Sequence, residues 1–259
     1  MADPGTLVRA FWVDAELQSN LYLDAIVTVV DAKFFLTQLT LESSQHEKIN
    51  EAERQVAFAD VILINKVDLV DDDQLTSLKA RLDIINVFAP RHQTIRGKMD
   101  IAKLLDIKAF DPKRVIPAPP KHHDHKHSKE HHHDHKHSKE HHHDHGHEKE
   151  QPSNRVGTCV VEFKEQVTLE FMNRFLGHLL WEVKTHEVYR LKGVVHIKGE
   201  NQKYNCQGVN DIFEIEESGV MWGKDEERKT ALVFIGRRLD VDGLMAYFKK
   251  AYKEYNKER

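Results

Sequence analysis

The chain has 259 residues, enough for two domains that each bury a core, with 40% hydrophobic residues, 31% charged residues and a formal net charge of −4. A near balance of 38 basic against 42 acidic residues argues against a nucleic-acid surface, and no apolar run reaches the roughly 20 residues of a transmembrane helix, so neither nucleic acid nor a membrane is expected as a partner. The start, Met1-Ala2-Asp3-Pro4-Gly5, has neither the basic nor the apolar region of a signal peptide, and only two cysteines occur, Cys159 and Cys206, far apart; a cytoplasmic protein is expected, with one bridge between the two thiols left open.

Residues 1 to 111 alternate strand-like and helical patterns. Asp3-Pro4-Gly5 reads as an opening turn. Asp24 to Asp31 is a β-branched run with almost no polar interruption, expected as a strand covered on both faces. Asn50 to Asp60 has Ala52, Val56 and Ala59 at helical spacing. Val61 to Ile64 is a second buried strand, ending in Asn65-Lys66-Val67-Asp68. Asp71 to Asp73 then start a helix whose apolar face is Leu75, Leu78, Leu82 and Ile85. Strand, helix, strand, helix predicts a parallel α/β sheet.

Residues 112 to 153 change character. Four prolines, Pro112, Pro117, Pro119 and Pro120, precede a histidine tract with a period of ten that holds 14 of the 19 histidines. It contains nothing apolar to bury and is expected to be a disordered linker. Residues 154 to 259 return to globular patterning. A strand is expected over Val156 to Phe163, then a helical stripe of Leu169, Met172, Phe175, Leu176, Leu179 and Leu180. Strand-like runs follow at Val188–Lys198, Lys203–Glu216 and Ala231–Arg237, and a helix at Val241–Tyr255 with Leu244, Tyr247, Phe248 and Ala251 inward. That β-α-β-β-β-α order predicts a small α+β domain.

Two features could carry chemistry. Asn65, Lys66 and Asp68 form an N-K-x-D at the carboxyl end of a buried parallel strand, where open α/β sheets bind ligands. A carboxylate at Asp68 can accept two hydrogen bonds from the ring N–H and exocyclic amine of guanine, a pair adenine lacks. The Lys66 stem can lie along the base and the Asn65 amide can tie the loop to its neighbour. The plainer alternative is a polar turn with Asp68 as a cap.

The second feature is the tract: His122, His123, His125, His127, His131, His132, His133, His135, His137, His141, His142, His143, His145 and His147. Imidazole ligates Zn²⁺, nickel or copper, and a flexible chain can gather several around one ion in exchangeable, modest sites. Neutral repeat expansion is the alternative. Asp31 reads as a cap, and His46, His92, His178, His186 and His196 read as surface or satisfied. Both cysteines read as ordinary strand residues, Trp181 and Trp222 as core or interface, and no catalytic residue is expected in the second domain.

The order of segments resembles the CobW-domain family of metallochaperone GTPases, especially its eukaryotic zinc-chaperone branch. The matching stretches are Ala2-Asp3-Pro4-Gly5, Phe11-Trp12-Val13-Asp14, Thr28-Val29-Val30-Asp31, Asn50-Glu51-Ala52 through Ala57, Ala59 to Val70, Leu191-Lys192-Gly193 and Leu232 to Arg237. The resemblance implies a P-loop GTPase domain over 1–111, a histidine-rich linker over 112–153 and a CobW C-terminal domain over 154–259. It makes Asn65, Lys66 and Asp68 the guanine residues and GTP, Zn²⁺ and Mg²⁺ the cofactors. It implies a GTP-dependent delivery of metal to a client metalloenzyme, in this branch a methionine aminopeptidase.

No G-x-x-x-x-G-K-[S/T] and no Cys-x-Cys-Cys occurs, although the family places both upstream of the matching region. A partial GTPase domain is therefore expected, inactive as a GTPase by itself. The competing expectation from another functional class is a non-enzymatic metal-buffering adaptor that uses the tract and the C-terminal domain.

Overall fold

The computed structural model describes residues 4–13, 21–43, 50–111, 113 and 155–258. Asp3, Asp14, His46 and the histidine tract lie outside them. The first domain opens with α1 (Pro4–Val13), so Pro4 is the first helical residue rather than part of a turn. Its missing N–H would have been unsatisfied in any helix's first turn, which makes proline well suited there. Strand β1 (Val27–Asp31) follows, then α2 (Phe35–Ser43) and α3 (Glu51–Phe58), capped by the Asn50 side chain accepting from the Glu53 N–H. Next come β2 (Val61–Asn65), a 3₁₀ turn (Val67–Leu69), α4 (Asp72–Ile85) and β3 (Arg91–Thr94). Asp71 and Gln74 form a reciprocal capping box at the start of α4.

The three strands form a parallel sheet in the order β1-β2-β3. On β2 the four residues Val61 to Ile64 are buried. On β1 burial alternates instead, Val30 being 2% exposed and Val29 61%. Only half of the expectation for β1 holds, because among the described residues it pairs with β2 alone and one of its faces is open.

The second domain is a five-stranded antiparallel sheet in the order β4-β8-β5-β6-β7, with two helices against one face. Its elements are β4 (Val156–Phe163), α5 (Leu169–Trp181), β5 (Glu187–Val195), β6 (Gln202–Val209), β7 (Ile212–Met221), β8 (Thr230–Arg237) and α6 (Val241–Lys257). The run expected as one strand over Lys203–Glu216 is a hairpin. The chain reverses at Asn210 and Asp211, Asn210 taking the left-handed φ of 53° that asparagine tolerates. Gly193 and Gly236, in the two segments that resemble the family, sit where β5 and β8 approach closely. A Cβ on Gly236 would collide with the Glu187 carbonyl, and one on Gly193 with the Ala231 carbonyl.

Two cores result. The second domain has its own, centred on Phe163, Phe171, Met172, Leu176, Phe234 and Phe248. The first domain's core is shared: Val56, Phe58, Ile62, Ile64, Leu78 and Leu82 pack in one cluster with Val156, Tyr189, Val209 and Ile235 of the second domain. Polar contacts cross the same boundary. The Val156 N–H donates to Glu53 Oε2 at 3.2 Å, and Glu53 also pairs with Arg81. Thr158 Oγ1 donates to the Ile85 carbonyl at 3.0 Å, and Gln207 Nε2 to the Phe110 carbonyl at 2.9 Å.

At the centre of the boundary stands Asp60, 8% exposed, just before β2. Its Oδ1 accepts from Arg190 at 2.6 Å and Lys192 at 2.7 Å, and its Oδ2 from the Ile26 N–H at 3.1 Å. Burial would raise the Asp60 pKa, but the Arg190 and Lys192 charges hold it below the ordinary carboxylate value. The Arg190 guanidinium also lies 4.4 Å from the Phe110 ring centroid.

Candidate functional site

The carboxyl ends of β1, β2 and β3 meet at Asn65. Parallel register pairs Asp31 with Asn65 and Asn65 with Thr94, so three loops leave the sheet side by side. The Ala32 N–H donates to the Asn65 carbonyl at 2.9 Å, joining the first two. The Asn65 side chain joins the third. Its Oδ1 accepts from the Gly97 N–H at 2.9 Å and from Thr94 Oγ1 at 3.1 Å. Thr94 is buried, and Arg96 and Gly97 turn the chain back with φ of 53° and 68°. The anticipated role of Asn65, tying its loop to a neighbour, is what the geometry shows.

Lys66 adopts the left-handed conformation, φ 64° and ψ 34°, a strain that non-glycine residues accept where surrounding contacts impose it. Its ammonium donates to Asp31 Oδ2 at 2.6 Å and lies 6.0 Å from the Phe34 ring centroid. Asp68 begins no helix as a cap. It sits within the 3₁₀ turn, exposed, and makes no hydrogen bond to another described residue. The arrangement therefore holds two residues of the tetrapeptide by internal contacts and presents the third, a carboxylate, to solvent.

Asp31 caps the turn before α2 rather than the helix itself, with Oδ1 accepting from the Lys33 and Phe34 N–H groups at 3.0 and 3.3 Å. Burial would raise its pKa. The Lys66 hydrogen bond and the two amides outweigh that and set it below the ordinary carboxylate value. Thr94 and Gly97 were missed in the sequence, because Arg91-His92-Gln93-Thr94 has no apolar periodicity to mark it as a strand.

The remaining expectations divide. Both cysteines are free, buried strand residues; burial and the nearby Asp240 push Cys159 up to about 12, and burial raises Cys206 as well, so neither is a nucleophile at neutral pH. His178 bonds Tyr247 Oη through Nδ1 at 2.6 Å. His196 departs from the expectation: it is 5% exposed and its Nδ1 has no hydrogen-bond partner among the described residues. Trp222 is buried against it, whereas Trp181 is exposed. Among the described residues no group of three His, Cys, Asp or Glu side chains could hold a metal ion. No described helix is long and apolar enough to cross a membrane.

Comparison with known proteins identifies the family of both halves of the chain. Residues 1–93 match the family model of the CobW/HypB/UreG nucleotide-binding domain, and residues 156–252 that of the cobalamin synthesis protein cobW C-terminal domain. The chain is 27% identical to the zinc-regulated GTPase metalloprotein activator 1 of Saccharomyces cerevisiae, covering 96% of this chain and 60% of that protein. It is 31% identical to the zinc chaperone CobW of Pseudomonas aeruginosa, covering 93% of this chain and 61% of that protein. The crystal structure of the Zn(II)-bound YjiA GTPase from E. coli superposes with a TM-score of 0.70 at 25% identity, over 97% of this chain and 68% of that one. The chain thus spans about 60% of the length of the curated relatives named here.

Proposed function

The chain belongs to the CobW family, and we propose that it is the guanine-reading and metal-carrying part of a GTP-dependent zinc chaperone. The observation that carries the reading is the loop at the end of β2. Asn65 is tied to Thr94 and Gly97, Lys66 is tied to Asp31, and Asp68 is left with an exposed carboxylate beside them. Two parallel acceptor oxygens on a fixed loop match the two adjacent N–H donors of guanine and mismatch adenine. The relatives' names, a zinc-regulated GTPase activator and a zinc chaperone, support the same assignment.

Phosphate and Mg²⁺ ligands are assigned to none of the described residues, and GTP hydrolysis is not expected from these 259 residues alone. Transition-state stabilisation in phosphoryl transfer comes from the phosphate cradle and the metal, and the sequence holds no G-x-x-x-x-G-K-[S/T]. Zinc is cargo in this reading, held by the histidines from His122 to His147 and passed to a client metalloprotein, a methionine aminopeptidase by the family resemblance. The compartment that fits is the cytoplasm.

The test is a base-selectivity titration of the ¹⁵N-labelled chain with GMP and, separately, AMP. GMP should shift the Asn65–Leu69 and Gly97 amides and AMP should not. Asp68→Ala removes two hydrogen bonds to a charged group, each worth about 1.5–3 kcal/mol, and should abolish the GMP shifts while leaving the spectrum otherwise folded. Equal shifts with both nucleotides, or GMP shifts that survive Asp68→Ala, would reject the guanine reading.

A further inference from the structure

The tetrapeptide explains Asn65 and Asp68, but it does not explain why the Lys66 ammonium turns to a carboxylate at the end of the neighbouring strand. Its Cα stands at the end of β2, and its ammonium reaches the end of the neighbouring strand, at Asp31 Oδ2, 2.6 Å away. The four-carbon stem therefore bridges the two strand ends, across the mouth of the loop that carries Asp68. Its direction is imposed from both sides. The left-handed backbone of Lys66 aims it, and the Asp31 carboxylate catches it. Asp31 is itself held by the Lys33 and Phe34 amides at its other oxygen, and the Phe34 ring lies near the ammonium of Lys66 at 6.0 Å and that of Lys33 at 5.6 Å.

This ion pair cannot be there for stability. Lys66 and Asp31 side chains are 45% and 28% exposed, and pairs this wet contribute little to folding. What it can supply is order. A free lysine stem samples many rotamers, and a base that stacks on it must first freeze them. A clamped stem is already a flat apolar surface.

The geometry points to Asp31 as a positioning residue of the guanine site: by holding the Lys66 ammonium it pre-lays the lysine stem as the face on which the purine ring stacks. This rests on the guanine reading above. The low pKa of Asp31 agrees with it, since a carboxylate charged throughout the neutral range keeps the clamp closed there.

The variant that isolates the effect is Asp31→Asn. An amide oxygen can still accept from the Lys33 and Phe34 N–H groups, so the turn survives while the charge that holds Lys66 is lost. GMP binding to the ¹⁵N-labelled chain should weaken about fivefold, within the usual cost of immobilising one rotamer-rich side chain on binding. The melting temperature should not change. In a Lys66→Ala background Asp31→Asn should cost nothing further, because there is no stem left to position. Unchanged GMP affinity in Asp31→Asn, or a full additional loss in the Lys66→Ala background, would overturn the clamp while leaving the guanine reading standing. Wild-type chain with no GMP-selective shift at Asn65–Leu69 would overturn the guanine reading itself and this inference with it.

Discussion

Asp60→Ala is the substitution to which the fold should be most sensitive. Asp60, Arg190 and Lys192 have side chains 2%, 3% and 18% exposed, so the cluster is desolvated rather than a surface pair. Removing the carboxylate leaves two cations without their shared partner and the Ile26 N–H without its acceptor. Breaking a buried ion pair from one side typically costs about 3–5 kcal/mol, because the surviving charge stays buried. For a protein with roughly 200 described residues each kcal/mol lowers the melting temperature by about 2–4 °C, so the expected drop is about 6–20 °C by calorimetry. The pH dependence has a definite sign. The folded pKa lies below the reference value of 3.8, so the stabilisation is complete above that value and is lost as pH falls through the lower, folded pKa. Urea midpoints of the wild type should therefore show no pH dependence from this group between pH 5 and pH 8, and the Asp60→Ala variant should lose part of the acid-induced fall below about pH 4. A loss smaller than about 1 kcal/mol at pH 7, the range of exposed pairs, would refute the view that the two domains are joined by a dry ionic contact.

Residues 155–259 alone should give a dispersed, cooperatively melting protein, because that core is self-contained; residues 1–111 alone should not, because Val156, Tyr189, Val209 and Ile235 complete theirs. One-dimensional NMR of the two pieces checks both statements. Cys159 and Cys206 should resist a thiol reagent at pH 8 in the native chain and react together on unfolding, since both are buried with raised pKa values; prompt native labelling would contradict this. Residues 121–150 as a peptide should take up more than one Zn²⁺ by calorimetry at pH 7.5 and release it below about pH 6, because protonated imidazole does not ligate; no uptake at pH 7.5 would remove the metal role of the tract.

Several elements were legible because side-chain pattern and environment agree. Val61–Ile64 is apolar without interruption and is buried, and the acidic start at Asp71–Asp73 became a capping box at the head of α4. Where the pattern misled, a neighbour decided. Val27 and Val29 look like the interior of a sheet, yet their exposure depends on what lies beside β1, which the strand's own composition does not encode. Arg91–Thr94 looks like a loop and becomes a strand because the Ile62–Asn65 edge offers it a parallel partner. The hairpin at Asn210-Asp211 did carry a signal, two turn-forming residues inside a strand-like run, and the run's length hid it. At the candidate site, the tetrapeptide singled out Asn65, Lys66 and Asp68. Thr94, Gly97 and the pairing partner of Lys66 came only from the sheet register, which brings residues about 30 positions apart to one edge.

Strand β2 is where these observations converge. It is five residues long, and each end is fixed by something other than the sheet ladder. At the amino end Asp60 is gripped by two cations of the second domain. At the carboxyl end Asn65 and Lys66 are tied to β3 and β1. The cations that reach Asp60 come from Arg190 and Lys192, on the strand that also carries Leu191 and Gly193, whose packing against β8 leaves no room for a Cβ. The second domain is thus not an appendage to the sheet that carries the Asp68 loop. It supplies four residues of that sheet's core and the counter-charges for Asp60, so the placement of the Asp68 loop depends on a domain that, among the described residues, contributes no side chain to it.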